Sequence, residues 1–351
     1  MPQTSREIVQ RTLTFKNPER IPRHIWTLPW VDAHYPDEMK KLRQDFPMDI
    51  ADPPGVFRPS SKKKGEMYSV GEFVDDWGCR FENIQAGVHG QVKAPILPDL
   101  ADWKSIKPPY EMLPDNPAKA RDIVNKACAS DSRFFHGGCC PRPFERYQFI
   151  RGSQNALVDM MDMGPETRGL LKVIHEFHLK ELEFWATTDI DALTFMDDWG
   201  CQKQLLIPPR IWKEIFRPMY KDYCDIAHAH KKFMFMHSDG YITEIYPDLI
   251  QIGVDAVNSQ LFCMDMDELA KIAKGKITFW GEIDRQHIMN SPNPEDGRKG
   301  VRKVAKYLYM PEGGIIAQCE VGSGGNPAVA RAIFEEWDKV HAEATARRKK
   351  G

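Results

Sequence analysis

The chain has 351 residues, 42% of them hydrophobic and 28% charged, enough for a large core in two domains or in one (β/α)8 barrel. Its formal net charge is −2 and no Lys/Arg stripe runs along it, so composition excludes a nucleic-acid-binding surface as the expected role. No apolar run is long enough to cross a bilayer, and the polar start Met1-Pro-Gln-Thr-Ser-Arg-Glu7 does not resemble a signal peptide. A cytoplasmic protein with neither a membrane nor a nucleic acid as partner is expected. The cysteines at 79, 128, 139, 140, 201, 224, 263 and 319 show no paired framework. In a reducing compartment they stay thiols, most of them acting as small buried hydrophobes.

Residues up to about 115 are rich in Pro and polar turns and lack long helical periodicity. They read as an N-terminal segment plus early barrel elements. Met67 to Phe81 predicts a hairpin, with Val and aromatic residues for strands and Gly71 and Gly78 for turns. From about residue 117 helices and short apolar runs alternate. Leu171, Ile174, His178, Leu182 and Trp185 form one helical face. Ile190–Met196 predicts a strand, and a helix follows from Arg210 to His230 after Pro208-Pro209. Then come strand Lys232–Met236, helix Ile242–Ile252, strand Asp255–Ser259, a short helix Met266–Ala273 and strand Ile277–Trp280. A helix near Glu295–Tyr309 precedes the apolar run Gly314–Gln318, and the last helix starts at the cap pair Asn326-Pro327. It leads into the basic tail Arg347-Arg348-Lys349-Lys350, which reads as a solvated end. Successive strand–helix units with short apolar strands predict a parallel α/β architecture covered on both faces. No Gly-rich dinucleotide fingerprint follows a strand, which favours a single (β/α)8 TIM barrel over residues 1–351.

The string Asp-Asp-Trp-Gly-Cys occurs at 75–79 and again at 197–201. The flanks differ, so no duplication follows. Trp77 and Trp199 are expected either to wall one cleft or to pack as buried turns.

In such a barrel the active site lies at the C-terminal strand ends. Those ends carry Asp197 and Asp198, His237 and Asp239, Asn258, Glu282 and Asp284, then Cys319 and Glu320. So many titratable groups at a barrel mouth would be costly to bury without a use. His237, Asp239 and Cys319 form the sharpest subset, because zinc binds imidazole, carboxylate and thiolate. Residues two apart on a strand share a face, so His237 and Asp239 are expected side by side. Against this stand the plainer readings: a hydrogen-bonded structural histidine and an inert buried cysteine. Glu282 is a fourth ligand or a carboxylate that orients His237. Asp284 is expected to cap the segment after it. His136-Gly-Gly-Cys139-Cys140 reads as a loop at the mouth, and His228 and His230 as a helix end.

The chain resembles the uroporphyrinogen decarboxylase superfamily over nearly its whole length. The resemblance lies in Arg11–Pro22, Asp76-Trp-Gly78, Pro143-Phe-Glu-Arg146, Ala227–His230, His237-Ser-Asp-Gly240, Tyr246–Asp255, Trp280–Asp284 and Cys319-Glu320. It implies the (β/α)8 barrel. Uroporphyrinogen decarboxylases themselves grip substrate carboxylates with an Arg-Gln-Ala-Gly-Arg loop. The matching stretch here, Pro22–Trp30, keeps Arg23 and adds aromatics, which suits a propionate-rich tetrapyrrole poorly.

The resemblance to the cobalamin-dependent methyltransferase branch is closer. That branch carries a zinc motif of His-x-Cys and a late Cys, matched here by His237 and Cys319, with Asp239 in place of the middle Cys. It implies zinc held by His237 and Cys319 with Asp239 or Glu282, or a site in which Asp239 is no ligand; Asp197 and Glu282 are the carboxylates expected to be catalytic. It also implies a corrinoid on a partner protein as methyl acceptor, a small-molecule methyl donor, and dimerisation. Asp239 would make the metal harder and more Lewis acidic, suited to an ether oxygen. Trp26, Trp30 and Trp199, with Asn258, would then bind an aromatic methyl ether. Two rival readings are a metal-free decarboxylase or lyase with Asp197 and His237 as acid and base, and a non-catalytic corrinoid-binding barrel.

Overall fold

The computed structural model describes residues 2–348; Lys349 and Lys350 of the basic tail lie outside the described residues. Eleven strands follow in chain order: β1 (Arg23–Thr27), β2 (Ile50–Ala51), β3 (Gly71–Val74), β4 (Arg80–Asn83), β5 (Gln91–Ala94), β6 (Phe134–Phe135), β7 (Ala192–Met196), β8 (Phe233–Ser238), β9 (Ala256–Ser259), β10 (Thr278–Trp280) and β11 (Ile315–Val321). Six of them form a parallel sheet in the order β1-β11-β10-β9-β8-β7. Two short strands, β2 and β6, pair in parallel beside it. The amide of Asp49 donates to the Arg23 carbonyl at 3.0 Å, which joins β2 to β1. A parallel bridge between His136 and Ala192 joins β6 to β7. The eight parallel strands thereby close into a barrel, the architecture expected from the strand–helix rhythm.

Asp49 holds this closure. Its carboxylate is fully buried and accepts from Arg20 Nη1 at 2.6 Å and Nη2 at 2.5 Å, from the Arg23 amide at 2.8 Å and from Ser5 Oγ at 2.6 Å. The first helix, Ser5–Leu13, starts at a Thr4/Glu7 capping box. It sends Val9 and Leu13 into the barrel floor against Ile50, Phe134, Phe235, Trp280 and Ile316.

The sequence positions of the outer helices agree with the periodicity. Pro165–Ala186, Met266–Ala273, Pro294–Leu308 and Pro327–Arg348 are continuous. Asp265 and Asn293 cap the second and third through side-chain hydrogen bonds to the first-turn amides. The helix expected from Arg210 to His230 contains a π turn at Trp212–Phe216. Pro218, just beyond it, cannot donate to a carbonyl one turn back, and the wider turn absorbs that loss. The expected hairpin forms as β3 and β4, paired antiparallel through Gly71–Val74 and Arg80–Asn83, and β5 extends it to three strands. This small sheet sits at the mouth, where the Trp30 amide donates to the Gly87 carbonyl at 3.3 Å. No helix of the described residues is long and apolar enough to cross a membrane.

Asp49→Ala leaves a partly buried guanidinium without its partner and removes the carboxylate's hold on the Arg23 amide, while the backbone bond between Asp49 and Arg23 remains. A loss of about 3 kcal/mol is expected, read as a lower denaturation midpoint with an unchanged m-value.

Candidate functional site

Alternation along closed barrel strands decides which side chains meet. On β8, Met234 and Met236 pack outward towards the helices, while Phe235 lies in the inner cluster and His237 follows it inward. The same parity puts Trp26 inward, and its ring lies 5.2 Å from that of His237. Asp198 and Asp239 continue the inward faces of β7 and β8 just past their ends.

There, one oxygen each of Asp198 and Asp239 and a ring nitrogen of His237 lie within 4.8 Å of one another. His237 Nε2 is 3.4 Å from Asp239 Oδ1 and 3.6 Å from Asp198 Oδ1. The expectation that His237 and Asp239 stand side by side holds. Asp239 Oδ1 is buried and has no hydrogen-bond partner. Its Oδ2 is held by Arg285, whose guanidinium also reaches Glu320 Oε2 at 2.7 Å and Glu282 Oε1 at 3.5 Å. One imidazole nitrogen and two carboxylate oxygens form a donor set that fits a divalent cation, zinc included. The orphaned Asp239 oxygen fits it as well, because a buried carboxylate oxygen otherwise needs a donor.

Cys319 does not join this group. On β11, Ile315, Ala317, Cys319 and Val321 belong to the layer between sheet and helices, whereas Ile316 belongs to the inner cluster. Gln318 faces inward with Ile316 and bonds Asn258, and Glu320 reaches Arg285 at the mouth. Cys319 is fully buried on the other face, and burial pushes its thiol pKa up, against thiolate formation. The signal for this was present in Ile315-Ile-Ala-Gln-Cys-Glu-Val321: its end alternates apolar and polar, with Cys319 on the apolar side.

Asp197 and Asp198 separate in the same way. Asp197 turns outward and accepts from the amides of Phe144 at 3.0 Å and Glu145 at 2.7 Å, and from the Tyr220 hydroxyl at 2.6 Å. It anchors the N-terminus of helix Pro143–Arg151, a position that suits a carboxylate. The first Asp of the other Asp-Asp-Trp-Gly-Cys copy, Asp75, pairs with Arg146 on that same helix. Trp199 is fully buried, stacks on Phe144 at 4.3 Å and donates to Tyr220 Oη at 3.0 Å. It is a packed turn with no face at the mouth. Trp30 stacks on His34 at 3.9 Å, so of the aromatic trio only Trp26 stands against His237. Asn258 bonds His237 Nδ1 at 2.6 Å and so contacts the imidazole. Asp284 caps its turn through the amides of Gln286 and His287, as expected.

Glu282 is 1% exposed, and neither of its carboxylate oxygens has a hydrogen-bond partner. Burial pushes its pKa well above the usual carboxylate range, and Arg285 opposes this only in part. It is not among the three side chains that converge there.

Glu145 was given no role by the sequence reasoning. Its Oε2 is buried without a hydrogen-bond partner and lies 4.0 Å from Arg142 Nη1. Burial, then the Asp198 carboxylate, push it up to about 7. Asp198 is likewise raised by burial and by Asp239. The mouth thus concentrates Glu145, Asp198, Asp239, Glu282 and Glu320 around Arg142 and Arg285.

The uroporphyrinogen decarboxylase (URO-D) family model matches residues 74–338. The chain belongs to this family. Comparison with curated proteins finds no sequence match. Among solved structures, a methyltransferase from Methanosarcina mazei superposes with a TM-score of 0.68 at 9% identity, covering 96% of this chain and 99% of that one. A glycosylated endo-beta-1,4-xylanase from Gloeophyllum trabeum, at 10% identity and TM-score 0.44, covers 96% and 99%. The first likeness extends the barrel fold to nearly the full length of both chains.

The raised Glu145 gives a signed expectation. Its protonated form is favoured in the fold, so its contribution to stability is full below the ordinary glutamate value of 4.5 and is lost as pH rises through about 7. Against Glu145→Gln, the metal-free wild type is expected to lose on the order of 3 kcal/mol across that window, measured by urea denaturation at each pH.

Proposed function

We propose that this chain is a zinc-dependent methyltransferase. It moves a methyl group between a small methylated substrate, of the aromatic methyl ether class, and a corrinoid carried by a partner protein. The observation that carries the reading is the convergence of Asp198 Oδ1, His237 Nε2 and Asp239 Oδ1 at the barrel mouth, with Asp239 Oδ1 buried and unpartnered. Family membership and the shared fold of the Methanosarcina mazei methyltransferase support the reaction class.

Asp198, His237 and Asp239 would hold the ion, and Cys319 is left out. Bound there, zinc supplies Lewis acidity towards a substrate oxygen. The chain's own groups do the rest. Arg285 pins Asp239 through Oδ2 and leaves Oδ1 free. Trp26, beside His237, offers a flat face for an aromatic ring. Glu145, held near 7, keeps a proton on its carboxyl for the oxygen that the methyl group leaves. The carboxylate-rich rim repels anions, and Arg285 is engaged by three acids. Both disfavour the rival decarboxylase reading, which needs a carboxylated substrate.

The test combines metal analysis with a spectroscopic assay. The purified protein is expected to carry zinc, and to be stabilised by about 2.7 kcal/mol when free zinc is a hundredfold over Kd. Asp239→Ala abolishes that gain, while Cys319→Ala keeps it. Cob(I)alamin is expected to convert to methylcobalamin with aryl methyl ethers, and chelator stops the conversion. Zinc lost in Cys319→Ala but kept in Asp239→Ala would overturn this ligand set, and turnover that survives chelation would overturn the metal role.

A further inference from the structure

The geometry points to Asn258 as a positioning residue that locks the His237 imidazole into its Nδ1–H tautomer and aims the Nε2 lone pair into the carboxylate cluster. This rests on the cation reading above and deepens it.

One atom in the network has no choice of role. The backbone carbonyl oxygen of Trp280 can only accept. The Asn258 side-chain atom 2.5 Å from it must therefore be the amide nitrogen. That nitrogen's other hydrogen is directed at Gln318 Oε1, 3.0 Å away. The Asn258 amide cannot flip without setting its oxygen against the Trp280 carbonyl oxygen. Its Oδ1 consequently faces His237 Nδ1 at 2.6 Å, and an amide oxygen only accepts. His237 Nδ1 must donate, so in the neutral imidazole the proton sits on Nδ1 and the lone pair on Nε2.

That lone pair faces Asp239 Oδ1 at 3.4 Å and Asp198 Oδ1 at 3.6 Å. Asp198 Oδ1 accepts from the Asp239 amide at 2.9 Å and Asp239 Oδ1 has no donor; with no proton on Nε2, the lone pair and the two carboxylate oxygens repel one another. The arrangement is poised for a cation at Nε2. The lock is fully buried: Asn258 is 0% exposed and Gln318 is 1% exposed. Gly281 makes room for it, because a Cβ there would lie 2.3 Å from Gln318 Oε1. All three supports come from the neighbouring strands β9, β10 and β11, so the tautomer is set by the sheet and not by the loop that carries Asp239.

The test reads the tautomer directly by long-range proton–nitrogen NMR of the metal-free protein, at a pH where the imidazole is neutral. The wild type is expected to show Nδ1–H. Asn258→Leu, which removes the acceptor, is expected to shift His237 to Nε2–H and to weaken zinc 10–100-fold in a competition titration. Gln318→Met, which leaves the Trp280 carbonyl in place, is expected to keep Nδ1–H. A wild-type Nε2–H tautomer overturns the proposal without any variant. A retained Nδ1–H in Asn258→Leu, or its loss in Gln318→Met, also overturns it. An Nδ1–H wild type that binds no zinc upholds the lock and overturns the metal reading instead.

Discussion

The constraint on which the site depends is the two-residue alternation of strands in a closed barrel. Once Asp49 ties β2 to β1 and the His136–Ala192 bridge ties β6 to β7, every strand has one face in the lumen and one against the helices. A shift of one residue in any strand would exchange the two. That parity sends His237, Trp26, Asn258 and Gln318 inward, and sends Asp197 and Cys319 outward. The site is thus chosen by barrel closure before any ligand is considered.

The second determinant is charge. Five carboxyl groups gather at one mouth, and the positive groups among them are Arg142 and Arg285. Burial makes this excess unfavourable as anions, which is why Glu145, Asp198 and Glu282 are all raised. Protons on some of these groups relieve the imbalance. Arg285 divides the cluster: it ties Asp239, Glu282 and Glu320 and leaves the Asp198–His237–Asp239 side open. A carboxylate-rich donor set without a thiolate is also harder than a cysteine-bearing one.

Much of the inner shell was legible as pattern. The strand–helix alternation pointed to the barrel, and strand ends bounded by His237 and Asp239 pointed to the mouth. Their shared parity follows from spacing alone. Glu145 was not legible, because it lies on a helix, Pro143–Arg151, that reaches the site from outside the strand-end pattern. Its place depends on Asp197, 52 residues away in sequence, holding the amides of that helix. Trp199 looked like an aromatic wall and is a core residue, because Phe144 and Tyr220 close over it.

By itself the sequence determined the fold class, the end of the barrel where the titratable side chains gather, and the pairing of His237 with Asp239. Those depend on local periodicity and on spacing along one strand. The tertiary structure alone decided which side chain meets His237 and Asp239, Asp198 in place of Cys319. That choice depends on which way two separate strands, β7 and β11, turn their faces when the barrel closes. It also decided the tautomer of His237, because the carbonyl that sets it belongs to Trp280, 43 residues further along the chain. Side-chain chemistry was present in the letters, and the facing of one strand against another was not.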